Sequence, residues 1–231
     1  MRNATWTRRL AVGAATAVSA LVGGGIRVPF AAAEPCPDVE VLFARGTGEP
    51  PGIGGIGGSF VAALRSDIGA KSLAVYAVDY PASSDFSSSD FPRTVIDGIR
   101  DASSHIESMA AKCPATREVL GGYSQGAAVA GYVTSASVPP GVPAAAVPKP
   151  MAPDIADHVA AVTLFGTPSE QFLQHYGAPP ITIGPLYQPR TIELCASGDP
   201  VCSGGNDAAA HALYAVNGMT GQGADFPAHH L

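Results

Sequence analysis

Residues 117–133, REVLGGYSQGAAVAGYV, constrain this chain more than any other stretch. An apolar run of strand character reaches Ser124, and an Ala-rich run of helical character leaves it, with no linker between them. Gly122-Tyr123-Ser124-Gln125-Gly126 fits the pattern G-x-S-x-G, in which a sharp strand-to-helix turn exposes a serine hydroxyl. Short patterns recur by accident in a chain with 27 glycines, so the flanking strand and helix carry the reading.

The rest of the chain repeats the alternation. Val39–Ala44 (VEVLFA) is an apolar strand run that stops at Arg45-Gly46-Thr47-Gly48, and a Pro- and Gly-rich loop follows to Gly58. Residues 59–68 read as a short helix capped by Ser59, and residues 73–80 as the next strand. Val95, Ile99, Ala102, Ile106 and Met109 recur at helical spacing, which predicts an amphipathic helix over 94–111. Residues 138–153, VPPGVPAAAVPKPMAP, hold too many prolines for a helix or a central strand and form a loop. Residues 158–166 and 191–195 are two further strands, and a last helical segment begins near Ala208. Strands alternating with helices imply an α/β fold, a central parallel sheet with helices on both faces.

The N-terminus sets the compartment. Arg2, Arg8 and Arg9 precede a stretch from Leu10 to Ile26 without a charge, and Ala31-Ala32-Ala33 offers a cleavage site, so residues 1–33 read as an export signal and 34–231 as one mature domain. An uncleaved anchor is the alternative, and Arg8-Arg9 also fits a twin-arginine signal. Removing 1–33 takes four arginines and no acid, which leaves 9 basic against 19 acidic side chains and a net charge of −10. Such a chain has no electrostatic footprint for nucleic acid. Cys36, Cys113, Cys195 and Cys202 all follow the signal, and an even count in an exported chain implies two disulfides. Three pairings exist in principle. Cys195 with Cys202, close enough to clip one loop, is favoured, leaving Cys36 with Cys113. No spacing of zinc ligands is present, and no metal is expected.

A serine attacks only when a base takes its proton and an acid holds that base. Among six histidines, His211 is the best candidate because it follows the last strand on a Gly-rich stretch. Asp199 and Asp207 compete as the acid. Asp199 lies just past the C-terminal end of a strand, where open α/β sheets place their sites, and inside the Cys195 to Cys202 loop; Asp207 is as readily a cap. Oxyanion donors are expected from the backbone N–H of Gln125 at a helix start and from Thr47 after the first strand.

Five blocks in order, CPDVEVLFARGTGEP, VYAVDYPA, GGYSQGAAV, HVAAVTLFG and LCASGDPVCSGG with AHALY, resemble the cutinase-like serine esterases, in particular their mycobacterial and actinobacterial branch. The likeness runs from Cys36 to about Met219. It implies a small, lidless α/β-hydrolase with Ser124 as nucleophile, Asp199 as acid and His211 as base. An oxyanion hole from Thr47 and Gln125 and the disulfides Cys36 to Cys113 and Cys195 to Cys202 follow from it too. Two departures stand out: the insert 138–153 is longer than the family's usual link, and Gly221, Gly223 and Pro227 interrupt what should be a better final helix. The expectation is a secreted, monomeric ester hydrolase for short to medium acyl groups on lipid or polymer esters, without a cofactor. Acetylxylan-type esterases and non-catalytic lipid-binding surface proteins on the same fold are the rivals. A dinucleotide site at Gly52-Ile53-Gly54-Gly55-Ile56-Gly57 is disfavoured, because eight residues with two prolines separate the strand from these glycines.

Overall fold

The structure, a computed structural model, describes residues 35–231. The export-signal reading falls on residues outside that span. Five strands, β1 (Val39–Ala44), β2 (Leu73–Ala77), β3 (Arg117–Tyr123), β4 (Val159–Phe165) and β5 (Thr191–Leu194), pair in parallel in the order β2-β1-β3-β4-β5. Parallel strands need crossovers, and the crossovers cover both faces, so the central strands are buried throughout and read as continuous apolar runs. The two sides of each strand part regularly. Leu42, Ala44 and Leu120 enter the core under α2 (Phe91–Lys112) and α3 (Gln125–Val133). Val41, Phe43 and Val119 enter the other core, under α1 (Gly54–Asp67) and α7 (Met219–Ala228). There Phe43, Phe60 and Phe165 meet with ring centroids 5.7–6.4 Å apart. Fully burying each is worth about 1.5–3 kcal/mol.

The chain leaves β1 toward one edge of the sheet and β3 toward the other. The crevice between their C-terminal ends is therefore the switch point at which open α/β sheets bind ligands, and Thr47 and Ser124 follow those two strands.

Several elements differ from the sequence expectation. Helix α1 starts at Gly54 rather than 59, and Ser59 is no cap: its hydroxyl donates to the Gly55 carbonyl, 3.1 Å away, one turn back. The Glu49 carboxylate takes the capping role from a distance, accepting from the N–H groups of Gly46 (2.6 Å) and Gly55 (3.0 Å). That carboxylate occupies the helix N-terminus where a dinucleotide phosphate would have to sit. Strand β2 ends at Ala77, and α4 (Pro153–Ala156) and α5 (Glu170–His175) are single turns without a periodicity to announce them. The last helical segment is two, α6 (Ala208–Ala212) and α7.

Helix α7 tolerates its glycines and proline for reasons that lie in the sheet. A Cβ on Gly223 would meet the Phe165 ring at 2.6 Å, so only glycine lets the helix settle on β4. Pro227 has no N–H for the Gly223 carbonyl four residues earlier, and the buried Thr163 hydroxyl donates to that carbonyl instead, at 3.3 Å. The disulfides join Cys36 to Cys113, tying the segment before β1 to the end of α2, and Cys195 to Cys202, closing the loop after β5. Among the described residues no helix is long and apolar enough to cross a membrane.

Candidate active site

Ser124 sits between the last residue of β3 and the first of α3 with φ 55° and ψ −116°, a backbone conformation that costs a non-glycine residue about 1–3 kcal/mol. The glycines on either side make the turn physically feasible. A Cβ on Gly122 would lie 2.2 Å from the Gly126 carbonyl oxygen, and one on Gly126 would lie 2.0 Å from that of Ala44. The turn is held by the Ser124 N–H, which donates to the Phe165 carbonyl at 2.9 Å. Gln125 opens α3, so its N–H belongs to the first turn, whose donors have no partner within the helix.

His211 lies on the single turn α6. Its Nε2 is 2.9 Å from Ser124 Oγ and its Nδ1 is 2.8 Å from Asp199 Oδ2. Asp199 is fully buried. Its Oδ1 accepts from the Val201 N–H at 2.8 Å, and its Oδ2 also accepts from the Tyr214 hydroxyl at 2.7 Å. Burial alone would raise the pKa of this carboxyl, but the hydrogen bonds from His211, Tyr214 and Val201 outweigh it and hold the group below its ordinary value. Asp199 is thus kept as a carboxylate against the imidazole. Its loop is closed by the Cys195–Cys202 disulfide, and its carbonyl accepts from the Ser203 hydroxyl at 2.6 Å. Asp207 lies outside this line and caps α6, accepting from the Ala209 N–H at 3.0 Å.

Two tyrosines complete the arrangement, and neither was picked out from the sequence. The Tyr123 hydroxyl donates to the His211 carbonyl at 2.6 Å, so the residue before the serine also fixes the backbone of the histidine. Tyr214 is fully buried, donates to Asp199 and accepts from the Ala196 N–H at 3.0 Å. The signal was present: a tyrosine inside an apolar run needs a partner for its hydroxyl, and polar groups near a candidate triad are natural partners. The other histidines lie elsewhere. His105 pairs with Glu40 at 2.9 Å on β1, and His229 and His230 bond to carbonyls at the end of α7.

Thr47 lines the same cavity as Ser124 and Gln125. Its turn is pinned from several sides: the Gly48 N–H donates to the Ala82 carbonyl at 2.7 Å, and the buried Arg45 side chain donates to the carbonyls of Glu49 and Tyr80. The Gln125 side-chain Nε2 donates to the Ser83 carbonyl at 3.1 Å, joining the helix start to the same loop. The cavity, of about 240 Å³, continues from Ser124 between α2 and α3 beneath the segment 138–150.

A strained serine, a histidine in contact with it and a buried carboxylate behind the histidine are the parts of acyl transfer through a serine, and the described residues carry the matching family pattern: the Cutinase model covers residues 35–231. The chain belongs to the cutinase family. A Mycobacterium tuberculosis relative described as probable carboxylesterase Culp7 is 74% identical over 166 residues, 72% of this chain and 89% of that protein. The structure of a Trichoderma reesei cutinase in complex with a phosphonate inhibitor is 30% identical with a TM-score of 0.60, covering 83% of this chain and 75% of that one. The catalytic core of an acetyl xylan esterase from Trichoderma reesei shares the fold, with a TM-score of 0.67 at 24% identity over 85% of this chain and all of that domain. As a cutinase-family member this chain is a carboxylic ester hydrolase. The family's elbow is formed here by Gly122 to Gly126, with Tyr123 spending its hydroxyl on His211.

Proposed function

We propose that this chain is an exported serine esterase in which Ser124 attacks the ester carbonyl, His211 moves the proton and Asp199 holds His211. The continuous hydrogen-bonded line from Ser124 Oγ through both ring nitrogens of His211 to the buried Asp199 supports this reading above all else. As Oγ bonds to the carbonyl carbon, its proton passes to His211 Nε2, and the Asp199 carboxylate stabilises the imidazolium. The oxyanion that forms accepts from the N–H groups of Gln125 and Thr47. The tetrahedral intermediate then breaks its bond to the alcohol oxygen, which leaves with the proton from Nε2. Water repeats the sequence on the acyl-enzyme, giving its proton to His211 and releasing the acid and Ser124. Two disulfides and the basic, then apolar, N-terminus support export.

Ser124→Ala tests the reading. Ester turnover should fall by about 10⁴–10⁶ while the fold is retained, and a phosphonate probe should label wild type at Ser124 alone. Turnover near the wild-type rate in the variant would end the assignment. The N-terminal sequence of protein recovered from culture medium should begin at Glu34.

A further inference from the structure

We propose that the cavity beside Ser124 is an acyl channel that takes a straight acyl chain of about 8–10 carbons, with the Pro/Ala-rich segment 138–150 as its roof. This deepens the serine esterase reading and rests on it. Both helices that wall the cavity start at the catalytic end of the sheet, α2 after β2 and α3 after β3, and both run toward the opposite end. The lining follows them down. On α2 it passes through Phe91, Val95, Ile99 and Ser103, and along α3 and just beyond its two ends through Ser124, Ala128, Tyr132 and Ser135. The walls are long enough for an extended chain, so the volume of about 240 Å³ sets the limit; scaled from an apolar cavity of about 150 Å³ that holds the six carbons of benzene, it takes about 8–10 carbons.

The other walls come from loops, and they are held differently. The segment 176–184 is fastened to α3: the Tyr132 hydroxyl donates to the Pro179 carbonyl at 2.5 Å, the Ser135 hydroxyl to that of Thr182 at 3.0 Å, and the Gly184 N–H to that of Thr134 at 2.9 Å. The roof presents Val138, Val142, Val147 and Pro148 to the cavity. Among the described residues its backbone hydrogen bonds are two internal turns, Val142 to Pro139 and Ala146 to Pro143, so apolar contact over the cavity is what seats it. Lys149 carries the charge among the lining residues and is exposed. Phe91, Phe86, Tyr176 and Phe172, all lining the cavity, form a chain of aromatic contacts with centroids 4.7–5.1 Å apart. An acetyl group would leave most of the apolar walls unused. The expectation of short to medium acyl groups rests on the lack of an apolar helical insertion; here a proline-rich loop supplies the missing apolar wall.

The test is kcat/KM for p-nitrophenyl esters from acetate to palmitate, each below its solubility limit. Every methylene moved from water into the channel is worth up to about four-fold, so wild type should climb with chain length to about C8–C10 and then stop. Ala128→Leu, one turn below Ser124, should lower the decanoate-to-butyrate ratio at least 30-fold, and replacement of residues 140–147 by Gly-Gly should abolish the climb. Val142→Trp, on the half-buried roof, repeats the plug without touching a helix should Ala128→Leu fail to fold. An optimum at butyrate, with a ratio that neither plug moves, would overturn the channel while Ser124-dependent turnover left the esterase reading intact. Butyrate turnover that survives Ser124→Ala would overturn both.

Discussion

Tyr214→Phe removes a single oxygen from a residue that touches neither Ser124 nor the substrate cavity, and its consequences can be worked from the contacts of that oxygen. The hydroxyl donates to Asp199 Oδ2 at 2.7 Å and accepts from the Ala196 N–H at 3.0 Å, all within the interior. A hydrogen bond to a charged acceptor contributes about 1.5–3 kcal/mol, and an orphaned buried N–H costs about 1–3 kcal/mol. These overlap, and a loss of about 3 kcal/mol is expected, which for a chain of this size lowers Tm by about 6–12 °C. The pH dependence identifies the Asp199 share. A carboxyl whose folded pKa is depressed contributes stability above its unfolded pKa, and that contribution is lost as pH falls through the folded value. Without the Tyr214 donor the depression is smaller, so the Tm gap between variant and wild type should be widest above about pH 5 and shrink below about pH 4, leaving the Ala196 share. Because His211 and Val201 still hold Asp199, kcat should fall only about ten-fold, far less than for loss of the acid. In an Asp199→Asn background the same change should cost much less, as coupled groups require. A Tm gap independent of pH with unchanged kcat would refute the positioning role and leave Tyr214 as packing.

Three further outcomes follow from the same contacts. Asp199→Asn should lower kcat about 10³–10⁴-fold by unsettling the His211 tautomer, whereas Asp207→Asn should cost less than about ten-fold, since it only caps α6; steady-state kinetics on the pair decides between the acids. Cys202→Ala opens a short loop worth about 2–3 kcal/mol, against about 4–5 for the long loop opened by Cys36→Ala, yet the former should lower kcat more because its loop carries Asp199, as melting curves and rates measured together will show. Glu118 is buried on β3 with no partner among the described residues for either carboxylate oxygen, and burial, then the charge of the adjacent Glu40, pushes its pKa up to about 8. A raised carboxyl pKa makes the folded state bind more protons than the unfolded one between about pH 4.5 and 8, so wild-type stability falls across that window; Glu118→Gln should match wild type near pH 4.5 and melt higher at pH 8.

Much of this architecture was legible because the physics that forms it is local in sequence. The apolar runs of β1, β3 and β4 are continuous, as doubly covered strands require, and the elbow announces itself by glycines whose absent side chains lie against Gly126 and Ala44. What could not be read depends on contacts between distant segments. The start of α1 moved because Glu49 supplies a carboxylate that no residue at the helix end itself supplies. Helix α7 survives its proline because Thr163, sixty residues earlier in the chain, bonds the carbonyl the proline leaves free. For Tyr123 and Tyr214 the sequence shows that a buried hydroxyl needs a partner, but not which partner it finds. Each is an ordinary aromatic in its own neighbourhood, and only the folded chain brings its hydroxyl to His211 or Asp199.

The two halves of the site are held by different forces, and that difference bears on how they can change. Ser124, His211 and Asp199 are fixed by directional bonds that cross between loops: Phe165 to the elbow, Tyr123 to His211, Tyr214 and a disulfide to the Asp199 loop. Directional contacts tolerate little displacement, since a hydrogen bond weakens steeply off its line. The acyl side is walled by α2, α3 and a proline-rich roof that carries no hydrogen bond to the body among the described residues. Apolar contact is non-directional and scales with area, so such a roof can shift to fit a chain at small cost while the catalytic atoms stay in place. Proline limits how far it moves, because fixed φ angles reduce the freedom the loop would otherwise lose each time it closes on a substrate. If the acyl channel holds, changes in length or composition between 138 and 150 should therefore act on which acyl group is held, with the strained turn at Ser124 left as it is.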